Sequence, residues 1–449
     1  METKKKGFPA AFWVCACTEI FERLAYYLGR SLILIFVTAS VATGGLGLSD
    51  TVAANMQSNL TAFSYLLPLF GAVIVDKYIG ARYTTPVGMF IAAAGYFTGG
   101  IAKSSVGVYA MIFLVSLGLA LFKNGAIIGR VITDKSQMDP AFSMRYTLVN
   151  VGAFIGTFLV GILYKDVFAK DGVLGFAPCF KMAALMMVLG GLWYIFVCWR
   201  FLGDLGKLPF KKTLTEEEKA AEAKKKEETG TKQPLTTIEK KRIGAIFVAS
   251  LFSIVFWIFW YLGYMPVYFY WAENMDWVVA GYQVPSTWFD AANSLFCVIL
   301  GPVTAALWKK LAVRPQGDMS LFRKTGLGIA IIGVGYLFYA AIDIMRGGEK
   351  ASVLWLIVFA FLLTMGEMFF SPLGHSFISK YSPSRYLAVM MSVWGFATFI
   401  AAKSYGPVYG LLFGGKIEFK VACIGVAVVS FVAALIMIAL DKKLSALVD

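Results

Sequence analysis

Polar residues interrupt this chain in a few blocks, and long apolar runs fill the space between them. Runs of at least about 18 residues, enough to cross a hydrocarbon layer as a helix, lie near 12–38, 51–75, 84–101, 106–130, 143–163, 179–201, 242–270, 287–311, 324–345, 351–379, 385–412 and 420–440. Twelve transmembrane helices are predicted. Six precede a polar stretch and six follow it, so the hydropathy divides the chain into an N-terminal six-helix bundle (1–201), a cytoplasmic linker (202–241) and a C-terminal six-helix bundle (242–449). Two-bundle secondary transporters share this layout and bind their cargo near the membrane midplane. In the linker, Thr215 and Glu218 have capping-box spacing, and Glu222 precedes Lys225 and Lys226 by three and four residues. The stretch 215–228, closed by Gly230, reads as a short solvated helix or as a charged tether.

Composition sharpens this picture. The 449 residues are 59% hydrophobic with a mean hydropathy of +0.71, above the roughly 45–50% apolar content of soluble domains. An all-α polytopic membrane protein is expected. The first run carries charge and continues into the polytopic chain without a small-residue cleavage site, so it is expected to stay as the first span. Of the 41 lysines and arginines, 29 fall in the N-terminal tail, the loops after even-numbered spans and the C-terminal tail. By the positive-inside rule both termini are cytoplasmic. The net charge of +14 therefore reflects topology and some attraction to anionic lipid; no nucleic-acid partner is expected. Six cysteines stand singly, without metal-ligand spacing, and His375 is the one histidine, so neither disulfides, zinc nor histidine catalysis is expected.

Charge inside the apolar runs carries the functional signal. Glu19, Glu22, Arg23, Tyr26, Tyr27 and Arg30 follow helical spacing and form one stripe on the first span. Each charge would cost roughly 2.5–3.5 kcal/mol in lipid, so the stripe must face protein or a watered cavity. Lys123 lies deep in the fourth span, and a buried ammonium needs a negative partner for part of any cycle. On the fifth span Tyr146 and Asn150 share a face; Asn150, like Asn293 on the eighth, suits either a ligand amine or a neighbouring helix. Glu367, Ser371 and His375 follow at i+4 steps on the tenth span around Pro372. A carboxyl there can exchange a proton as its partner comes and goes, while His375 reads as a packed residue or a proton carrier. The stretch Gly71 to Arg82, with Asp76 and Lys77, makes a glycine-bounded charged turn between spans two and three.

Together these stretches resemble the proton-dependent oligopeptide transporter (POT/PTR) family of the major facilitator superfamily. The motif Glu-x-x-Glu-Arg-x-x-Tyr-Tyr stands at Glu19, Glu22, Arg23, Tyr26 and Tyr27. The match continues through Arg30, Tyr65 to Pro68, Lys123, Asn150 to Gly152, Pro285 to Trp288 with Asn293, Gly366-Glu367, Ser371 to Gly374, Pro383, Met391 and Trp394. The resemblance implies the major facilitator fold and a proton-coupled symporter that imports di- or tripeptides by alternating access. In it Arg30 and Lys123 receive the peptide carboxylate, and Asn150, Asn293 and Glu367 hold the amino end. Tyr27, Tyr65, Ser371 and Trp394 are pocket walls, and Glu19, Glu22, Arg23, Lys123 and Glu367 form the proton-coupling set. It further implies no cofactor beyond the proton, no enzymatic activity, a monomer, and residence in the cytoplasmic (inner) membrane.

This chain departs from the family pattern at several points. Tyr261-Leu262 stands where members usually have Glu-Gln in the seventh helix, Lys123 is followed by Asn-Gly, His375 replaces a leucine, and Lys403 is extra. A transporter of another small anionic or zwitterionic metabolite, with altered or lost proton coupling, is the nearest alternative. A membrane-embedded enzyme would turn substrate over without translocation, and a peptide sensor would bind without moving protons.

Overall fold

The computed structural model describes residues 7–132, 138–209, 235–315, 317, 319–370, 374–383 and 386–448. The 215–228 reading, Ser371 and Pro372 lie outside these residues, as do the side chains of Asp76 and His375. Among the described residues the chain is a succession of helices: α1 (Ala10–Thr38), α2 (Asp50–Lys77), α3 (Ala81–Gly100), α4 (Ser105–Leu121), α5 (Asn124–Val131), α6 (Met138–Ile162), α7 (Phe176–Trp193) and α8 (Trp199–Leu202). They continue with α9 (Thr237–Leu262), α10 (Met265–Tyr268), α11 (Tyr270–Asn274), α12 (Trp288–Ala312), α13 (Leu321–Met345), α14 (Trp355–Phe370), α15 (Gly374–Tyr381), α16 (Leu387–Phe413) and α17 (Phe419–Val448). Two-residue strands pair Met275–Asp276 with Ala351–Ser352 in parallel and Val278–Val279 with Tyr282–Gln283 antiparallel.

Among the described residues, eight helical segments are long and apolar enough to cross a membrane by length and composition alone. α1 is excluded from that count by Glu19, Glu22, Arg23 and Arg30, and α14 by its 16-residue length. Large apolar side chains such as Phe113, Phe196, Leu251 and Leu435 are exposed on the surface, as a lipid solvent permits and water does not. The protein is a multi-pass, all-α membrane protein.

The chain divides into two compact units, Met1–Leu48 with Leu66–Leu214, and Ser49–Tyr65 with Thr215–Asp449. In the first unit, α6 lies on α1 through Gly152 and Gly156. A Cβ at these positions would stand 2.8 Å from the Ile20 carbonyl oxygen and 2.4 Å from that of Leu24. Small residues four apart let two helix backbones touch where lipid gives no hydrophobic drive for association.

In the second unit, α9 opens on a capping box. Thr236 Oγ1 accepts from the Glu239 N–H at 3.2 Å, and Glu239 Oε2 accepts from the Thr236 N–H at 2.8 Å. At its other end, carbonyls accept from buried tyrosines, Tyr336 Oη donating to Phe259 at 2.7 Å and Tyr339 Oη to Gly263 at 3.3 Å. Gly406 and Gly410 of α16 close onto residues 51–58. Ser58 Oγ donates there to the Ala402 carbonyl at 2.6 Å, and Lys403 Nζ donates to Asn59 Oδ1. The extra lysine is thus met by an amide from α2.

Candidate functional site

In the first unit the predicted stripe on α1 is buried and paired. Glu22 is fully buried and receives both arms of Arg23, Nε at 2.5 Å and Nη2 at 2.7 Å. The Arg23 guanidinium also lies 5.0 Å from the Tyr26 ring centre. Glu19, also buried, accepts from Arg145 Nε at 2.9 Å and from Asn124 Nδ2 at 3.0 Å. Arg145 stands in helix α6, near the start of the fifth apolar run. The glycine contacts draw α6 onto α1, and Gly125 leaves space for the guanidinium, whose carbon would lie 3.1 Å from a Cβ there.

Lys123 occupies a break in the fourth span. α4 ends at Leu121, Phe122 is extended, and Lys123 precedes α5 with φ −118° and ψ 32°. Its ammonium donates to the Pro68 carbonyl at 2.7 Å. Arg30 is buried, with its guanidinium 6.0 Å from the Tyr27 ring centre. Asn150 Nδ2 donates to the Tyr146 carbonyl of its own helix at 2.9 Å.

In the second unit, Glu367 is buried on α14 and Oε2 accepts from Asn293 Nδ2 at 3.2 Å, with Cys297 Sγ at 3.8 Å. The same amide donates to Thr364 Oγ1 at 2.8 Å. Asn293 therefore joins its helix to α14 in this structure. Trp394 is buried and stacked on Phe370 with ring centres 5.6 Å apart. A Cβ on Gly374 would meet the Trp394 indole at 2.2 Å, so glycine there admits the ring.

Tyr261, where a carboxylate was expected from the resemblance, lies in an aromatic and hydroxyl network. Its ring stacks on Tyr405 at 5.0 Å and its hydroxyl donates to Tyr65 Oη at 3.3 Å. Tyr405 in turn bonds Gln57 at 3.1 Å and Thr61 at 3.2 Å. Sequence reasoning missed Gln57, Thr61, Asn124 and Arg145; only the polar character of these residues inside apolar runs could have flagged them. Among the described residues no group of three or more His, Cys, Asp or Glu could hold a metal ion.

Residues 205–413 match the POT family model. An uncharacterized transporter, YclF, of Bacillus subtilis (strain 168) is 25% identical over 439 residues, covering 89% of this chain and 87% of the relative. The di-/tripeptide transporter of Lactococcus lactis subsp. cremoris is 24% identical over 440 residues, 86% of each chain. Among solved structures, a peptide transporter POT in complex with sulfate superposes with a TM-score of 0.86 at 23% identity, covering 99% of this chain and 98% of the other. A POT family transporter in complex with 5-aminolevulinic acid gives 0.85 at 24% identity, with 98% of each chain covered.

Proposed function

We propose that this chain is a member of the POT family, whose model matches residues 205–413, and that it is a proton-coupled symporter importing di- and tripeptides or peptide-like compounds. The observation that carries the reading is a division of charge. In the first unit the Lys123 ammonium donates to the Pro68 carbonyl, and Arg30 is buried beside Tyr27. In the second, buried Glu367 is met by the neutral amide of Asn293. A cation suits a carboxylate, and a buried carboxylate suits an ammonium, and a peptide carries one of each.

Arg30 and Lys123 take the peptide carboxylate. Asn150, Asn293 and Glu367 take its amino end, with Tyr27, Tyr65, Ser371 and Trp394 as walls. Glu19, Glu22 and Arg23, with Lys123 and Glu367, form the proton-linked set. Protonating Glu22 would weaken its hold on Arg23, so proton and peptide can bias one conformational equilibrium. The protein acts as a transporter, not an enzyme, and needs no cofactor besides the proton. In this reading it works in the cytoplasmic membrane as a monomer with both termini in the cytoplasm, organised as bundles 1–201 and 242–449.

The Tyr65–Tyr261–Tyr405 network favours one second reading, in which the same fold carries another small anionic or zwitterionic metabolite with altered coupling. Uptake of labelled dialanine into liposomes, with and without an inward proton gradient, tests both. Gradient-driven accumulation lost in Glu22→Gln and Lys123→Ala is expected. Absence of dialanine uptake, with no competition from mixed di- and tripeptides, overturns the peptide assignment.

A further inference from the structure

The second unit holds a buried carboxylate that none of the roles above uses. Asp290 lies in the first turn of α12, 5% exposed, and its Oδ2 accepts a hydrogen bond from the Tyr268 hydroxyl, itself buried on α10. Asp290, Asn293 and Cys297 are spaced i, i+3 and i+7, one stripe of α12. That stripe runs from Tyr268 to Glu367, which Asn293 and Cys297 both reach.

Three other carboxylates of this unit have evident structural duties. Asp343 pairs with Arg346 at 2.7 Å, Glu239 closes the capping box, and Asp441 accepts from Ser320 and Ser445. Thr287, at the N-cap of α12, makes no side-chain cap, and its hydroxyl is buried without a hydrogen-bond partner. The Asp290 carboxylate receives the Tyr268 hydroxyl at the head of this stripe. Titratable groups on the surrounding elements are Tyr264 and Tyr268 before α12, Tyr339 on α13 behind Phe359 and Phe289, and Cys297 and Glu367 along the stripe.

We propose that Asp290, held by Tyr268, is a second proton-binding carboxylate of the transport cycle, loaded and emptied alongside Glu367. The inference rests on the proton-coupled reading above. The step is a simple protonation: a hydronium ion from the watered side gives its proton to a carboxylate oxygen, an O–H bond forms, water leaves, and the charge at Asp290 is cancelled. Tyr268 keeps its own proton throughout. An ionised carboxylate inside a membrane protein is costly, and such groups commonly mark proton pathways. A tyrosine hydroxyl is suited to the role because it can donate to the charged form and accept from the neutral one.

Two measurements on the full-length protein test this. Infrared difference spectra of the purified protein between pH 8 and pH 5 report protonated carboxyl groups without any substrate. Part of that band is expected to vanish in Asp290→Asn, and its midpoint to move in Tyr268→Phe, which keeps the carboxyl and guards against a folding defect. Spectra identical to wild type in both variants overturn the proposal.

The second measurement compares gradient-driven dialanine accumulation with gradient-free exchange in liposomes. With a gradient of one pH unit and no membrane potential, each coupled proton is worth about tenfold in accumulation. Asp290→Asn is expected to lower the ratio of accumulation to exchange by about that factor. A band that vanishes while the ratio stays at the wild-type value also overturns the proposal, since Asp290 then titrates outside the cycle. If the wild type exchanges no dialanine, the peptide reading fails, and unchanged infrared spectra in both variants still overturn proton binding at Asp290.

Discussion

Replacing Arg145 by methionine keeps most of the side-chain volume on α6 and removes the cation from Glu19. In the folded protein Glu19 is 2% exposed and Arg145 30%. Fully exposed pairs contribute about 0–1 kcal/mol, whereas stripping a buried carboxylate of its cation costs about 3–5 kcal/mol. A pair with one buried and one partly wetted end falls between, so Arg145→Met should destabilise the protein by about 2 kcal/mol. Most of that loss is the penalty of leaving a charge at Glu19. The double variant Glu19→Gln with Arg145→Met should therefore be more stable than Arg145→Met alone, because a glutamine carbonyl still accepts from Asn124 and carries no charge. Unfolding in mixed micelles with rising SDS, followed by far-UV circular dichroism, gives the four stabilities of the cycle. A double variant less stable than Arg145→Met by the full cost of Glu19→Gln would mean that the two residues act independently, and would refute the pairing.

The contact of α1 with α6 makes a steric prediction: Gly156→Ala, with a Cβ 2.4 Å from the Leu24 carbonyl oxygen, should cost about 1–3 kcal/mol. Gly425→Ala, which meets nothing within 4 Å, should be neutral or stabilising in the same SDS titration. Tyr261→Phe keeps the stack on Tyr405 and loses the bond to Tyr65, so it should cost only about 0.5–1.5 kcal/mol, against about 3 kcal/mol or more for Tyr261→Ala. On the exposed turn after α8, the bond from Lys207 holds the Asp204 carboxyl below its usual range. A depressed folded value contributes stability above the unfolded carboxylate value near 3.9 and loses it only below that. Thermal unfolding of Asp204→Asn should accordingly parallel wild type from pH 5 to pH 8; a difference that grows across that window would contradict this assignment.

The periodicity along α1 is local information, and it was enough to place Glu19, Glu22, Arg23 and Arg30 on one protein-facing stripe, since the cost of charge in lipid depends on residue type and depth alone. The same holds for the apolar runs, for Lys123 deep in the fourth span, and for Glu367 on a face with its neighbours in the tenth. Partner choice is different in kind. Glu19 is matched by Arg145, 126 residues away, and that pairing depends on glycines 152 and 156 letting two backbones touch. The Lys123 ammonium reaches a carbonyl at Pro68 only because the fourth span breaks at Phe122. Tyr261 becomes part of a network with Tyr65, Gln57 and Tyr405 through the close fit of α16 on residues 51–58. Asp290 reads in the sequence as an acidic residue near a helix start, where carboxylates are common; burial against Tyr268 is what gives it a different role. Hydropathy and spacing thus determine which residues must be hidden from lipid, while the packing of one helix on another decides what each hidden charge meets.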